Sequence, residues 1–193
     1  MSPRHSGTDA TRDRLLDAAL AVHAGDGPDG FTMSAVIKAS GASSGSLYHH
    51  FGSFDGLAAA LYTRCMSRLL DALLAALEPQ TDPRAGVEAV VRAYLRFTRE
   101  QRDEARFVHA SAAAAFLPAH AAAIAAAKRP RADRLAAWLR PHLAGAVSAP
   151  MAEMLVIGPA AETARRWLAG DPAIDLAEAE TVLPPRVARS VLG

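Results

Sequence analysis

The stretch FTMSAVIKASGASSGSLYHHFGSFDGL, residues 31–57, decides how the rest of the chain is read. Thr32 is a residue type whose hydroxyl accepts a hydrogen bond from a free amide at a helix start. Phe31 before it and Val36 four positions inside form a hydrophobic staple that fixes how the chain enters that helix. Gly41 ends it, because the left-handed residue after a last turn is usually glycine. Only Ala42 separates Gly41 from Ser43, a second capping residue that opens a helix over residues 44–50. Two short helices joined by so tight a glycine-containing turn predict a helix-turn-helix.

Towards the N-terminus, Leu15, Ala19 and Val22 fall on one stripe, with Leu16 and Leu20 beside it, and predict a first helix from Thr8 or Asp9 to about Ala24. Gly25, Gly27, Pro28 and Gly30 are expected to stop it. Towards the C-terminus, Ser53 caps a long fourth helix, 53–78, about 40 Å in length at 1.5 Å per residue. Along it Leu57, Leu61, Cys65, Arg68 or Leu69, Ala72 and Ala76 recur at three-and-four spacing. Residues 79–83 read as a linker, followed by helices over 84–101, 103–117, 119–143 (whole or split near Pro130) and 149–169, and a short one near 185–192. The expected organisation is therefore an N-terminal three-helix unit, 1–52, and a helical bundle, 53–193, with the fourth helix linking the two.

Composition agrees with an all-α class. The 193 residues are 51% hydrophobic and 21% charged, ordinary for a folded chain, while aromatics are only 6% and alanine abounds. The single cysteine, Cys65, rules out an internal disulfide framework and fits a reducing compartment; on an apolar helix stripe it reads as a core thiol. The start MSPRHSG is a polar arm without the apolar core of a signal peptide. The apolar stretches 108–127 and 149–161 are broken by His, Pro or Glu, so no membrane span is expected and the cytoplasm is the expected location.

Several residues of the opening stretch have the chemistry of a nucleic-acid surface. Ser43, Ser44 and Ser46 cluster at a helix N-terminus, where free amides and the positive dipole end favour an anion. Gly45 leaves no side chain to hold a phosphate backbone away, and Tyr48 and His49 offer donors just beyond. Such contacts set register on a duplex, while a few recognition-helix side chains read base edges.

The chain resembles the TetR/AcrR family of bacterial one-component regulators. Phe31, Thr32, Val36, Ala39, Gly41, Ser43, Gly45, Leu47, Tyr48, His50, Phe51, Ser53, Asp55 and Leu57 match its pattern, and with the first helix the resemblance covers about residues 8–60. It implies that Thr32, Tyr48 and His50 touch phosphates or brace the helix, and that Ser44, Ser46 and His49 lie nearest the bases; packing of His50 within the domain is an equal alternative. It also implies that residues 53–193 bind a ligand and dimerise, the last two long helices pairing across a two-fold axis. Tyr94, Phe97, Phe107, Phe116 and Trp138, with Met66, are the candidate pocket residues; each is also an ordinary core residue type. In 149–169, Met151, Met154, Leu155, Gly158, Ala161, Trp167 and Leu168 suit either a close dimer contact or burial within the chain.

Two departures from the family pattern concern charge. Phe54 stands where the family usually has a phosphate-contacting lysine, and Ser44 where lysine, arginine or proline is common. Residues 1–52 hold four cations, Arg4, Arg12, Arg14 and Lys38, against five carboxylates, Asp9, Asp13, Asp17, Asp26 and Asp29, a formal charge of −1. Lys38, Arg4 and partly protonated histidines are therefore expected to do most of the phosphate neutralisation, and the salt dependence of DNA binding to be shallow.

Metal and catalytic readings find little support. His49 and His50 are adjacent, so on a helix they point about 100° apart, and His109, His120 and His142 lie on separate segments. No phosphate loop, nucleophile elbow or convergent acid/base spacing occurs. No cofactor is expected, and the Lys128-Arg129-Pro130-Arg131 run with Arg134 reads as a solvated turn in preference to a site for an acidic partner. The function expected is a homodimeric, sequence-specific DNA-binding regulator, a repressor released from a palindromic operator by a small apolar ligand. The alternative is a helical scaffold of the same fold that has lost specific DNA recognition.

Overall fold

The computed structural model describes residues 4–111, 116–143 and 148–192. Residues 1–3 lie outside the described set, as do the side chains of residues 4–8, the expected cation Arg4 among them. Also outside are 112–115, which fall within the expected 103–117 helix, and 144–147. The described residues form nine α-helices and no strand: α1 Arg4–Gly30, α2 Met33–Ser40, α3 Ser44–Phe51, α4 Phe54–Leu77, α5 Pro83–Glu100, α6 Arg102–Ala110, α7 Phe116–Leu139, α8 Ala149–Leu168 and α9 Leu176–Leu192. The fold is all-α.

Two compact units result, residues 1–65 with 103–125 and residues 66–102 with 126–193. This division differs from a boundary at residue 52, for a physical reason. The N-terminal helices alone leave apolar surface open, and the first half of α4 and α6 cover it. Leu15, Leu16 and Ala19 of α1, Val36 of α2, Leu47 of α3, and Leu57 and Leu61 of α4 are fully buried, and Phe107 of α6 is 1% exposed. Burial of each such leucine stabilises by roughly 1.5–3 kcal/mol. Arg64 of α4 pairs with Asp17 of α1 at 2.7 Å, and Arg106 of α6 donates to the Ala24 carbonyl at 3.4 Å.

In the second unit α5 packs against α8 and α9, and α8 against α9. Ala152, Val156, Ala160 and Ala164 make a buried small-residue row on α8, facing a core that includes Val87, Val91 and Leu95 of α5 and Val187, Ala188 and Val191 of α9. The Arg102 guanidinium lies 4.8 Å over the Trp167 ring, so this tryptophan already has an intrachain partner.

Four helices differ from the sequence expectation or decide between its alternatives. α1 runs past Ala24 to Gly30, broken only at Gly27, whose φ of 71° ends one turn while Pro28 begins the next. The buried row of α4 continues through Leu69, Leu73 and Leu77 rather than Ala72 and Ala76. α7 is not split at Pro130; Arg131, next to the proline, is held by Asp71 of α4 through bonds of 2.7 and 3.0 Å. α9 begins at Leu176, well before residue 185, with the Asp175 carboxylate accepting from the Ala177 amide at 2.8 Å. Its internal Pro184 and Pro185 forgo amide bonds, and burial of Pro184 offsets that loss.

Candidate nucleic-acid interface and bundle cavity

The two short helices are fixed by caps at each end. The Thr32 hydroxyl accepts from the Ala35 amide at 3.3 Å, and Gly41, at φ 64°, donates its amide to the Ile37 carbonyl at 3.0 Å. The Ser43 hydroxyl accepts from the Ser46 amide at 3.1 Å. Within the turn the Ser40 hydroxyl donates to the Ile37 carbonyl and accepts from the Ala42 amide, both at 3.2 Å. Ser40, absent from the sequence-based candidates, thus staples the turn; a serine next to the C-terminal glycine was its only signal, and its burial shows in the structure alone. Val36 and Leu47 are the buried pins, whereas Ile37 and Phe51 are half-buried.

Leu47 faces inward, so the opposite side of α3 is free. Ser43, Ser44, Gly45, Tyr48 and His49 are exposed, Tyr48 to 51%, while Ser46 and His50 are half-buried. Spacings of three and four put residues 44, 45, 48 and 49 on one face. Thr32 and Lys38 are exposed on and before α2. A methyl group built on Gly45 would meet only the Ser43 hydroxyl, at 3.7 Å, whereas one on Gly56 would lie 2.0 Å from the Phe51 carbonyl oxygen. The fold requires glycine at 56 and does not require it at 45.

Phe54 has a packing role. Its ring centroid is 5.0 Å from Phe31, which lies edge-on to His23 at 5.7 Å and to Phe107 at 5.6 Å; His23 and Phe107 are 4.9 Å apart. An apolar ring at 54 closes this cluster, which a lysine would not. Burial holds the His23 imidazole below the usual histidine pKa, the Arg106 charge adds to that, and Asp103 opposes it. Local charge is also less acidic than a count suggests: Asp17 is paired with Arg64, and the Arg12 guanidinium sits 5.5 Å over the Phe51 ring at the end of α3. Nothing in the spacing of residues 12 and 51 signals that contact.

Residues 15–61 match the family of bacterial regulatory proteins described as tetR. That match covers the first helix from Leu15 onward, the helix-turn-helix and the start of α4. A curated relative, the HTH-type transcriptional regulator BetI of Rhizobium meliloti, is 34% identical over 85 residues, 44% of this chain and 42% of that protein. The chain thus matches less than half the length of that relative. Among solved structures, a TetR family transcription regulator from Marinobacter aquaeolei superposes with a TM-score of 0.74 at 20% identity, over 97% of this chain and 98% of that one. FadR from Bacillus subtilis, solved in complex with stearoyl-CoA, gives 0.74 at 15% identity, over 92% and 98%. At such identities these structures establish the shared fold.

The second unit encloses a cavity of about 370 Å³. α4 contributes Met66, Leu69 and Leu73; α5 contributes Val90 and Tyr94; α7 contributes Lys128, Leu135 and Trp138; α8 contributes Glu153 and Val156. Of the sequence candidates, Met66, Tyr94 and Trp138 are brought together there. Phe97 is buried on α5 but is not among the lining residues, and Phe107 and Phe116 belong to the other compact unit. Their distribution follows from α6, which completes the N-terminal core instead of the bundle. Sequence reasoning missed Gly86: a methyl there would fall 2.0 Å from the Trp138 ring, so the glycine is what lets the indole lie against α5. An isolated glycine inside a helical pattern was the available signal. Lys128 belongs to the basic run expected to be a solvated turn, but that run lies within α7, where Lys128 is half-buried at the cavity and Arg131 and Arg134 are paired; Glu153 carried no signal.

Proposed function

We propose that this protein is a TetR-type homodimeric, sequence-specific DNA-binding transcriptional regulator, a repressor released from a palindromic operator when a small apolar ligand fills the bundle cavity. The observation that carries this reading is the free face of α3. Small and polar residues, an unneeded glycine and an exposed tyrosine stand on a helix whose other face is pinned by Leu47. Thr32, Lys38, Ser43, Ser44, Gly45, Ser46, Tyr48, His49 and His50 are the residues assigned to DNA, with Thr32, Tyr48 and His50 on phosphates or bracing the helix and Ser44, Ser46 and His49 nearest the bases. A second face supports dimerisation: Met151 and Met154 of α8 are 49% and 66% exposed, and Gly158 has open space where a side chain would be.

The cavity walls are mostly apolar and its volume lies at the small end of ligand sites. The FadR neighbour was solved with stearoyl-CoA, and the long hydrocarbon chain of that ligand is the kind of body that apolar walls take. Residues of α4 both pack in the N-terminal unit and, from Met66 onward, line the cavity, so ligand binding that favours one position of this helix shifts the DNA-binding population. No helix among the described residues is long and apolar enough to cross a membrane, which fits the proposed cytoplasmic site of action. The proposed role involves no catalysis and no cofactor.

Selection of bound fragments from genomic DNA, followed by gel-shift titration, tests the proposal. One palindromic site should be enriched, with half-sites about one helical turn apart. Enrichment of no site would favour a scaffold that has lost recognition.

A further inference from the structure

The charge at the cavity points to the ligand's head group. Lys128 occupies the register of Ala132, Leu135 and Leu139 on α7, all cavity-lining. It is half-buried, and among the described residues it makes no hydrogen bond or ion pair. Two arginines beyond it on the same helix are engaged, Arg131 with Asp71 of α4 at 2.7 Å and Arg134 with Glu78 at the end of α4, while Arg129 is exposed and does not line the cavity. Glu153, an exposed residue of α8, also lines the cavity and forms no ion pair with Lys128.

A cation partly withdrawn from water without a counter-charge is unfavourable, and a bound anion relieves that cost. We infer that the effector is an amphipathic monocarboxylate, its hydrocarbon body against Leu69, Leu73, Val90 and Trp138 and its carboxylate on the Lys128 ammonium. This rests on the ligand-responsive reading above and adds the charge. Glu153 limits that charge to one: a second negative group would face its carboxylate, so a polyanionic head such as a coenzyme A thioester is disfavoured.

Titration of the full-length protein with decanoate, decanol, decyltrimethylammonium and decanoyl-CoA, below their micellar concentrations and followed by calorimetry, tests this. Decanoate should bind roughly tenfold or more tighter than the other three, the scale of one charge-assisted hydrogen bond. Lys128→Met should bring decanoate to the level of decanol, and Glu153→Gln should strengthen both decanoate and decanoyl-CoA. Equal binding of the four, or discrimination that survives Lys128→Met, overturns the inference. So does a preference for the ammonium that Glu153→Gln abolishes. If none of the four binds, the cavity reading and the carboxylate inference fail together. If decanoate binds as expected but operator occupancy does not change, induction fails and the head-group assignment stands.

Discussion

A methyl group added at Gly45 separates folding from DNA binding. Helix interiors favour alanine over glycine by up to about 1 kcal/mol, and the only neighbour of the new carbon is the Ser43 hydroxyl at 3.7 Å. Gly45→Ala should therefore leave the melting temperature unchanged or raised. If α3 approaches a phosphate backbone here, operator affinity should nevertheless fall about tenfold, some 1.4 kcal/mol; affinity equal to the parent's in a gel shift would remove Gly45 from the interface. His23 governs a different property. Its imidazole is 3% exposed among Phe31 and Phe107, and its Nδ1 has no hydrogen-bond partner among the described residues. Burial first, then Arg106, lowers its pKa, with Asp103 pulling the other way. The unfolded chain takes up this proton near pH 6.5 and the folded chain only at lower pH, so the folded state is favoured least after acidification. Stability is complete above about pH 6.5 and declines as pH falls from there through the folded value. Melting curves at pH 7.5, 6.5 and 5.5 should show a steeper acid loss for the wild type than for His23→Leu, and parallel losses would mean that His23 is not the group responsible.

At the scale of elements, caps were the most legible features, because each is a local bond between residues two to four apart. Thr32, Gly41, Ser43 and Ser53 all stand where their residue types required, down to the Gly56 amide donating to Ser53 at 2.9 Å. What was illegible depended on residues far apart in sequence. The Pro184-Pro185 pair, a stop signal read locally, lies inside α9 because that helix is held by α5 and α8. Phe107, indistinguishable in sequence from the other aromatics, is placed by α6 packing against α1. Phe54, conspicuous as a missing cation, is explained by Phe31. For the interface, the exposed face of α3 followed from its register; for the cavity, Tyr94 and Trp138 were findable, whereas the exclusion of Phe97, Phe107 and Phe116 and the parts of Gly86, Lys128 and Glu153 required the packed helices. The recognition helix should depend on its cap in both stability and binding. Ser43→Ala removes the acceptor for the Ser46 amide and the 3.1 Å contact with the Ser46 hydroxyl. It should cost about 1 kcal/mol in urea unfolding and weaken operator binding as well, in contrast to Gly45→Ala, which should change binding alone. If Ser43→Ala leaves both quantities at parental values, the cap contributes nothing measurable.

At the scale of the whole molecule, the proposed regulator needs two copies, since half-sites one helical turn apart require recognition helices spaced by about 34–36 Å. In the proposed dimer the second copy is assigned to the outer face of α8. Its inward side is committed to the alanine row Ala152, Ala160 and Ala164 with Val156, while Met151 and Met154 project outward. Gly158, one turn beyond Met154, leaves room for a helix to approach closely. Trp167, by contrast, is covered by Arg102 and does not add to that face. Large exposed apolar side chains grouped on one helix usually mark an interface. In a two-fold contact each residue on the axis meets its own copy, so Met154→Glu would set two carboxylates against each other in a partly dry environment. The variant should elute as a monomer by light scattering while keeping its helical circular dichroism. Because a monomer engages one half-site, its operator affinity should drop far more than that of any single recognition-helix variant. A Met154→Glu protein that remains dimeric would place the two-fold contact on a face other than this one.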